Sequence, residues 1–559
     1  MNFTLKIFIL FFCISPILNS QNFTRQDTLR GSITPERAWW DLTYYHLDIS
    51  VDPENQYIEG SNTIHYKVLD SNYEMQIDLQ DPLSISKVTQ DGKELDFRSD
   101  GYSHFIKLKK KQKKGDLKSL KVFYDGKPKV AIRPPWDGGL TWTKDSNGKH
   151  FIANSNQGIG ASIWWPNKDH MYDEVDSMLI SVNVPKDLTN VSNGRLIKVD
   201  DMGETRTFHW YVSNPINNYG VNINIGDYLM FSEKYDGEKG DLDMIYYVLR
   251  DNIERAKKQF IDAVKMMEAF EYWFGPYPFY EDSFKIVEVP YLGMEHQSSI
   301  TYGNKYMKGY LGRDLSRTGW GLKFDYIIIH EAGHEWFANN ITYKDIADMW
   351  VHESFTTYSE NLYLDYHYGK EAASEYVIGT RSGIANISPI IGTYGVNKRG
   401  SDLYSKGANI LHTLRQIIGD DEKWRKTLRG LNKEFYHQTV TTKQIENYIL
   451  KKIGFENVKG SNLFRFFDQY LRNSGIPVFE YTIVCDEVNN NCKIGYKWGN
   501  VVPDFSMPIE INIDGEYTTL YVTDKHNWTE INYKNYVYEK SQKSPFKINP
   551  NYYVFTRKY

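Results

Sequence analysis

Phe324-Asp325-Tyr326-Ile327-Ile328-Ile329-His330-Glu331-Ala332-Gly333-His334-Glu335-Trp336-Phe337 runs from an apolar segment straight into a paired-histidine motif. On a helix, residues four apart share a face, so the imidazoles of His330 and His334 can meet one ion. Glu331 projects beside that ion and can reach a water there rather than the ion itself. The residues before the motif are too apolar for a solvated helix face, which sets the pair apart from two surface histidines. Two histidines do not complete a catalytic zinc site, which takes three protein ligands and keeps one position open. The next acidic residues lie in Met349-Trp350-Val351-His352-Glu353-Ser354-Phe355-Thr356-Thr357-Tyr358-Ser359-Glu360. Glu353, 19 positions after His334, suits a loop and a return helix that bring a carboxylate to the same ion, with His352 and Glu360 as competing ligands. His330, His334 and Glu353 would then hold one zinc ion and leave a place for water, as metal-assisted hydrolysis requires. Asp348 is placed either to orient a ligand imidazole or to cap the helix that carries Glu353.

Outward from this motif the texture changes twice. Ile253, Ala256, Phe260, Met267 and Phe274 recur at near-helical spacing until Gly275-Pro276 stops the run, and helical patterns continue to about residue 474. Thr441 with Gln444 forms a capping box that opens a helix over Ile445 to Ile453. Before residue 246 the chain alternates in short runs. Tyr45 to Val51 and Met178 to Val184 are two of them, and Asp91-Gly92, Asp125-Gly126 and Asp137-Gly138 read as turns. After Gly475-Ile476-Pro477 alternation returns, with a hairpin signal at Asp514-Gly515 between Met507–Ile513 and Tyr517–Val522. The expectation is a multi-domain α+β chain. A β domain spans 21–245, a mostly helical catalytic domain 246–475, and a small C-terminal β-sandwich 476–559.

The 559 residues carry a formal charge of -5, from 66 basic and 71 acidic residues, and no basic run of the kind that binds nucleic acid. No protein partner is implied. Lys6, the apolar run Ile7 to Leu18 and a small residue at Ser20 read as a secretory signal over 1–20, cut before Gln21, so a secreted or periplasmic location is expected. That run is too short to span a bilayer, and no later segment is apolar enough to form a transmembrane segment. A lipid anchor on Cys13 is disfavoured by Phe12 before it. Cys485 and Cys492 flank a polar stretch and could close a hairpin as a disulfide in an oxidising compartment.

His330-Glu331-Ala332-Gly333-His334 followed by Glu353 resembles the M1 (gluzincin) aminopeptidase family. Phe274-Gly275-Pro276-Tyr277-Pro278, Leu292-Gly293-Met294-Glu295-His296 and Leu403-Tyr404-Ser405-Lys406-Gly407-Ala408 resemble further segments of that family, in the order the family uses. The resemblance implies an N-terminal β-saddle domain, a thermolysin-like catalytic domain and a short β domain at the end. It implies a zinc aminopeptidase acting on peptide substrates with a free N-terminus. Glu331 would act as general base and acid and Tyr404 would stabilise the oxyanion. Glu295 would bind the free α-amine, on a strand motif whose Gly293 and Met294 lie along the substrate, and Gln157 would be a second amine-binding residue from the N-domain. His296 replaces the family's asparagine, Ser354 follows Glu353 where glycine is common, and no large helical domain follows residue 475. Two other readings compete. A secreted thermolysin-type endopeptidase would not need Glu295, and a metal-free surface-binding module would need none of Glu331, Glu353 and Tyr404.

Overall fold

A computed structural model describes residues 22–454, 462–486, 491–513, 516–531 and 546–559, so the expected signal at 1–20 lies outside the described residues. The two alternating runs quoted above are neighbours: Trp40–Asp52 pairs in parallel with Ser177–Pro185, with Leu47 opposite Ile180 and Ile49 opposite Val182. They form the middle of an eight-stranded sheet that continues through Tyr57–Val68 and Leu117–Gly126 on one side and Thr205–Val212 on the other. A four-stranded sheet joins Thr189–Val191, Asn224–Gly226, His150–Ser155 and Gly139–Lys144. His150–Ser155 matters most for function, because the chain leaves it two residues before Gln157. Asp91 (φ 50°) and Gly92 (φ 73°) make the expected two-residue turn, with Gln90 opposite Lys93. Asp125-Gly126 does not turn. It ends the strand Leu117–Gly126, held in register by Glu59 and Ile58.

The expected boundary at 245/246 cuts through a strand. Tyr228–Gly237 and Gly240–Leu249 form a hairpin, and Met244 to Tyr247 pair in parallel with Phe284 to Val287. This hairpin therefore belongs to the five-stranded sheet of the following domain. Leu242, Met244, Tyr246 and Val248 point into that domain's core, beside Phe260, Met267 and Ile328. The expected helix over 253–274 is two helices, Ile253–Gln259 and Ile261–Phe274, broken at Phe260 (ψ 0°). Phe260 is buried between Tyr246 and Tyr302, with ring centroids 5.3 and 5.1 Å away. Its ring is thus anchored where the helix breaks. Thr441 and Gln444 form the expected capping box on Thr442–Ile453.

The last part of the chain is two small sheets, Val478–Asp486 with Asn491–Gly499, Asn527–Ile531 and Phe555–Lys558, and Ser506–Ile513 with Glu516–Thr523 and Phe546–Ile548. They face one another through Phe479, Tyr481 and Phe546, and Trp498 donates to the Met507 carbonyl at 3.0 Å. Their buried side chains are continuous with the helical core through Phe466, Phe467 and Tyr470. The turn Asp514-Gly515 lies outside the described residues, while Ile513 and Glu516 on either side of it pair. Cys485 and Cys492 are register partners, but their side chains lie outside the described residues. No helix among the described residues is long and apolar enough to cross a membrane.

Candidate active site

Asp325 starts the helix Tyr326–Gly333 by accepting from the backbone N–H of Ile327 and Ile328. The same carboxylate accepts from the Tyr302 hydroxyl at 2.7 Å and from Gln259 at 2.6 Å, which ties the helix to the sheet and to the segment before Phe260. Ile327, Ile328 and Ile329 are all buried, each worth roughly 1.5–3 kcal/mol relative to exposure. Gly333 permits close packing on the next helix, Trp350–Tyr368: a Cβ there would sit 2.5 Å from Ser359 Oγ and 3.1 Å from Thr356 Cγ2. The chain then leaves helical geometry at Phe337 (φ -128°, ψ 75°), so the Phe337 carbonyl turns back to accept from His334 Nδ1 at 3.1 Å.

These elements bring His330, His334 and Glu353 together. Glu353 Oε2 lies 3.8 Å from His330 Nε2 and 3.6 Å from His334 Nε2. Ligands at zinc–N and zinc–O distances of about 2.0–2.2 Å are separated by roughly 3.3–3.6 Å around a tetrahedral ion. Glu353 Oε2 is fully buried with no hydrogen-bond partner. An orphaned buried carboxylate oxygen facing two imidazole nitrogens is what a single-zinc donor set looks like, and the residues fit the ion.

The outer partners correct three expectations. Glu360 is not a rival ligand: its Oε1 meets His330 Nδ1 at 2.7 Å, and Oε2 accepts from the Tyr376 hydroxyl. Thr356 Oγ1 meets His334 Nδ1 at 3.0 Å alongside the Phe337 carbonyl. His352 also drops out as a ligand, because its Nε2 accepts from the Tyr343 N–H at 2.9 Å. Burial, with His334 nearby, keeps His352 neutral by lowering its pKa well below the ordinary histidine value. Asp348 takes neither of its expected roles. It accepts from Tyr394 and Thr442, and the Glu353 helix starts after Met349 without a side-chain cap. Outer partners of ligand histidines typically govern affinity 10–100-fold. Glu360→Ala is therefore expected to weaken zinc binding by about that factor while leaving the fold intact, measured by competition with a chromogenic chelator.

A cavity of about 490 Å³ opens over the donor set. Gly293–Met294 is the edge strand of the five-stranded sheet and runs along it. Gly293 lets the strand approach the helix, since a Cβ there would lie 2.6 Å from Ile327 Cγ2. Glu295 follows, only 3% exposed. Its Oε1 accepts from Gln157 Nε2 at 2.5 Å and from the Tyr219 hydroxyl at 3.2 Å. Gln157 Nε2 also donates to Glu353 Oε1 at 2.9 Å, so one N-domain amide bridges both carboxylates. His296 does not line the cavity. It is buried, burial depresses its pKa to about 3, and Nδ1 lies 3.3 Å from Thr301 Oγ1. Tyr404, 39% exposed, stacks at 6.0 Å on His330 from the start of the helix Ser405–Ile418. Its position is held by Ser354, which donates to the Leu403 carbonyl at 2.7 Å, and Gly407 packs against Ser354. Glu331 also lines the cavity. Burial, reinforced by the charges of Glu295, Glu353 and Glu360, holds its carboxyl well above the ordinary carboxylate range. Sequence reasoning missed Tyr219, which is one tyrosine among 43 with no flanking motif.

The fold and the His2Glu set define a thermolysin-like metal centre joined to an N-terminal β domain. Residues 259–470 match the peptidase family M1 domain and residues 42–219 the peptidase M1 N-terminal domain. The chain belongs to peptidase family M1. It is 22% identical over 501 residues to probable aminopeptidase 2 of Sulfurisphaera tokodaii, covering 86% of this chain and 60% of that protein. It is 26% identical over 263 residues to mouse endoplasmic reticulum aminopeptidase 1, covering 44% of this chain and 28% of that one. The chain thus spans about 60% of the length of the two probable aminopeptidases of Sulfurisphaera tokodaii that it matches. Among solved structures, an M1 zinc metallopeptidase from Deinococcus radiodurans superposes with a TM-score of 0.65 at 18% identity, over 79% of this chain and 95% of that one. A variant of that peptidase bound to a Tyr-Ser-Ala substrate superposes at 0.64 with 18% identity, over 80% and 98%.

Proposed function

We propose that the chain is a zinc aminopeptidase that removes single residues from peptides with a free N-terminus. One observation carries this reading: the buried Glu295 carboxylate, joined through Gln157 to Glu353, lines the same cavity as the metal ligands. An endopeptidase has no use for an unneutralised buried carboxylate there, whereas a protonated α-amine would supply the missing cation. The Tyr-Ser-Ala substrate bound by the Deinococcus radiodurans variant supports peptides as the substrate class.

Zinc held by His330, His334 and Glu353 supplies Lewis acidity for attack on a carbonyl. The edge strand Gly293–Met294 aligns the peptide, and Glu295 with Gln157 fixes its N-terminus, so the first carbonyl falls beside the metal ligands. Glu331 takes the proton of the attacking water and returns it to the leaving amine. Tyr404 donates a hydrogen bond from its hydroxyl to the oxygen that gains charge, a contribution worth roughly 3 kcal/mol of barrier. The test is release of free amino acids from an unblocked peptide by zinc-loaded protein, abolished by a chelator and restored by zinc. Internal fragments would promote the thermolysin-type endopeptidase, and no zinc at all would promote the binding module.

A further inference from the structure

One cation faces the substrate cavity. Arg399 is the sole lysine or arginine among the described residues lining it, against the carboxylates Glu295, Glu331 and Glu353. Its side chain makes no ion pair or hydrogen bond among the described residues, whereas Arg25, Arg37, Arg195, Arg250 and Arg415 each pair with an aspartate. An arginine that faces solvent is unremarkable when solitary. One that faces the reacting centre without a partner is a fork of donors shaped for a carboxylate.

The loop that carries Arg399 is held in place. Thr393 N–H donates to the Lys398 carbonyl at 2.9 Å, and Gly392 N–H to the Ala347 carbonyl at 2.9 Å. The Tyr394 hydroxyl donates to Asp348 at 2.6 Å. Asn397 donates to the Gly158 carbonyl at 3.2 Å, locking the loop to the N-domain turn that presents Gln157. The backbone of the loop is therefore held so that Arg399 lines the same cavity as Gln157, Glu295 and Tyr404.

We propose that Arg399 binds a carboxylate on the side chain of the substrate's first residue, so that the cavity selects peptides beginning with aspartate or glutamate. The inference rests on the aminopeptidase reading. Charge balance supports it: a divalent ion and the bound α-ammonium offset the carboxylates of Glu295, Glu331 and Glu353, which leaves Arg399 as a cation whose counter-charge an acidic side chain would supply. A charge-assisted pair of this kind distinguishes glutamate from isosteric glutamine by about tenfold or more.

The experiment compares glutamyl, glutaminyl, leucyl and lysyl anilides, which lack a terminal carboxylate, on the zinc-loaded wild type and on Arg399→Ala and Arg399→Glu. Arg399 has no internal partner, so both variants are expected to fold as the wild type does. The wild type should prefer the glutamyl over the glutaminyl anilide by about tenfold in kcat/KM. Arg399→Ala should abolish that preference, read as the glutamyl-to-glutaminyl ratio within the variant, and Arg399→Glu should shift it toward the lysyl anilide. In parallel, L-glutamate should bind more tightly than L-glutamine to the wild type and equally to Arg399→Ala, read by titration calorimetry. Equal treatment of glutamyl and glutaminyl substrates by the wild type overturns the assignment, as does a preference that survives Arg399→Ala. It is also overturned if Arg399→Ala instead removes a preference for Leu-Gly-Gly over its C-terminal amide, because the arginine would then read the peptide's tail. Failure to cleave any anilide sinks the aminopeptidase reading alone, and the glutamate titration still decides Arg399.

Discussion

Glu331→Gln is expected to bind one zinc ion per chain with wild-type affinity and to lose turnover by about a thousandfold. The side chain lines the cavity beside the donor set without belonging to the triad of Glu353 Oε2 and the two histidine Nε2 atoms. Glutamine keeps its length and volume and removes only the capacity to take and return a proton. Proton transfer by a positioned group contributes about a hundred- to ten-thousandfold, so the loss should appear in kcat with KM little changed. Burial and three neighbouring carboxylates raise the Glu331 pKa, the direction suited to a group that must both hold and release a proton. Metal analysis of the purified variant together with steady-state kinetics checks both halves. A variant that lost its zinc would make Glu331 a ligand.

Blocking the N-terminus should cost nearly as much. Glu295 is almost fully buried, and the side chains that hydrogen-bond its carboxylate, Gln157 and Tyr219, are neutral. A free α-ammonium offers it a full positive charge. An N-acetyl group removes that charge and puts a carbonyl against the carboxylate, a penalty of about 4 kcal/mol, or roughly a thousandfold in kcat/KM. A peptide and its acetylated twin, followed by mass spectrometry, measure this directly. Glu295→Gln should shrink the ratio toward unity, because the amide can still bond to Gln157 and Tyr219 but no longer attracts a cation. Equal cleavage of both peptides by the wild type, at internal bonds, would remove the exopeptidase reading.

What could be read before folding was whatever helical spacing dictates locally. His330 and His334 are one turn apart, Thr441 and Gln444 close a capping box, and Glu353 sits at a plausible return distance. The N-domain β character was also legible, because alternation is a local signal. Contacts across long separations were not. Gln157 and Glu353 are 196 residues apart, and Tyr219 reaches Glu295 over 76. Glu360 illustrates the intermediate case: its distance from His334 allowed a ligand, but its place two turns after Glu353 carries it past the ion to the far nitrogen of His330. The expected boundary at 245/246 splits the hairpin 228–249 because alternation reveals a strand and not the sheet it joins. The break at Phe260 escaped notice because its anchors, Tyr246 and Tyr302, come from other segments.

The bridge made by Gln157 divides responsibility between two inheritable units. All three donors to the ion, and the glutamate beside them, are encoded within 24 consecutive positions of one domain. The residues around Glu295 come from both domains, with Gln157 and Tyr219 contributed by the other. A change at Gln157 would therefore be felt on both sides of the seam, at Glu295 and at the metal ligand Glu353, whereas a change at Tyr219 would reach Glu295 and leave the donor set in place.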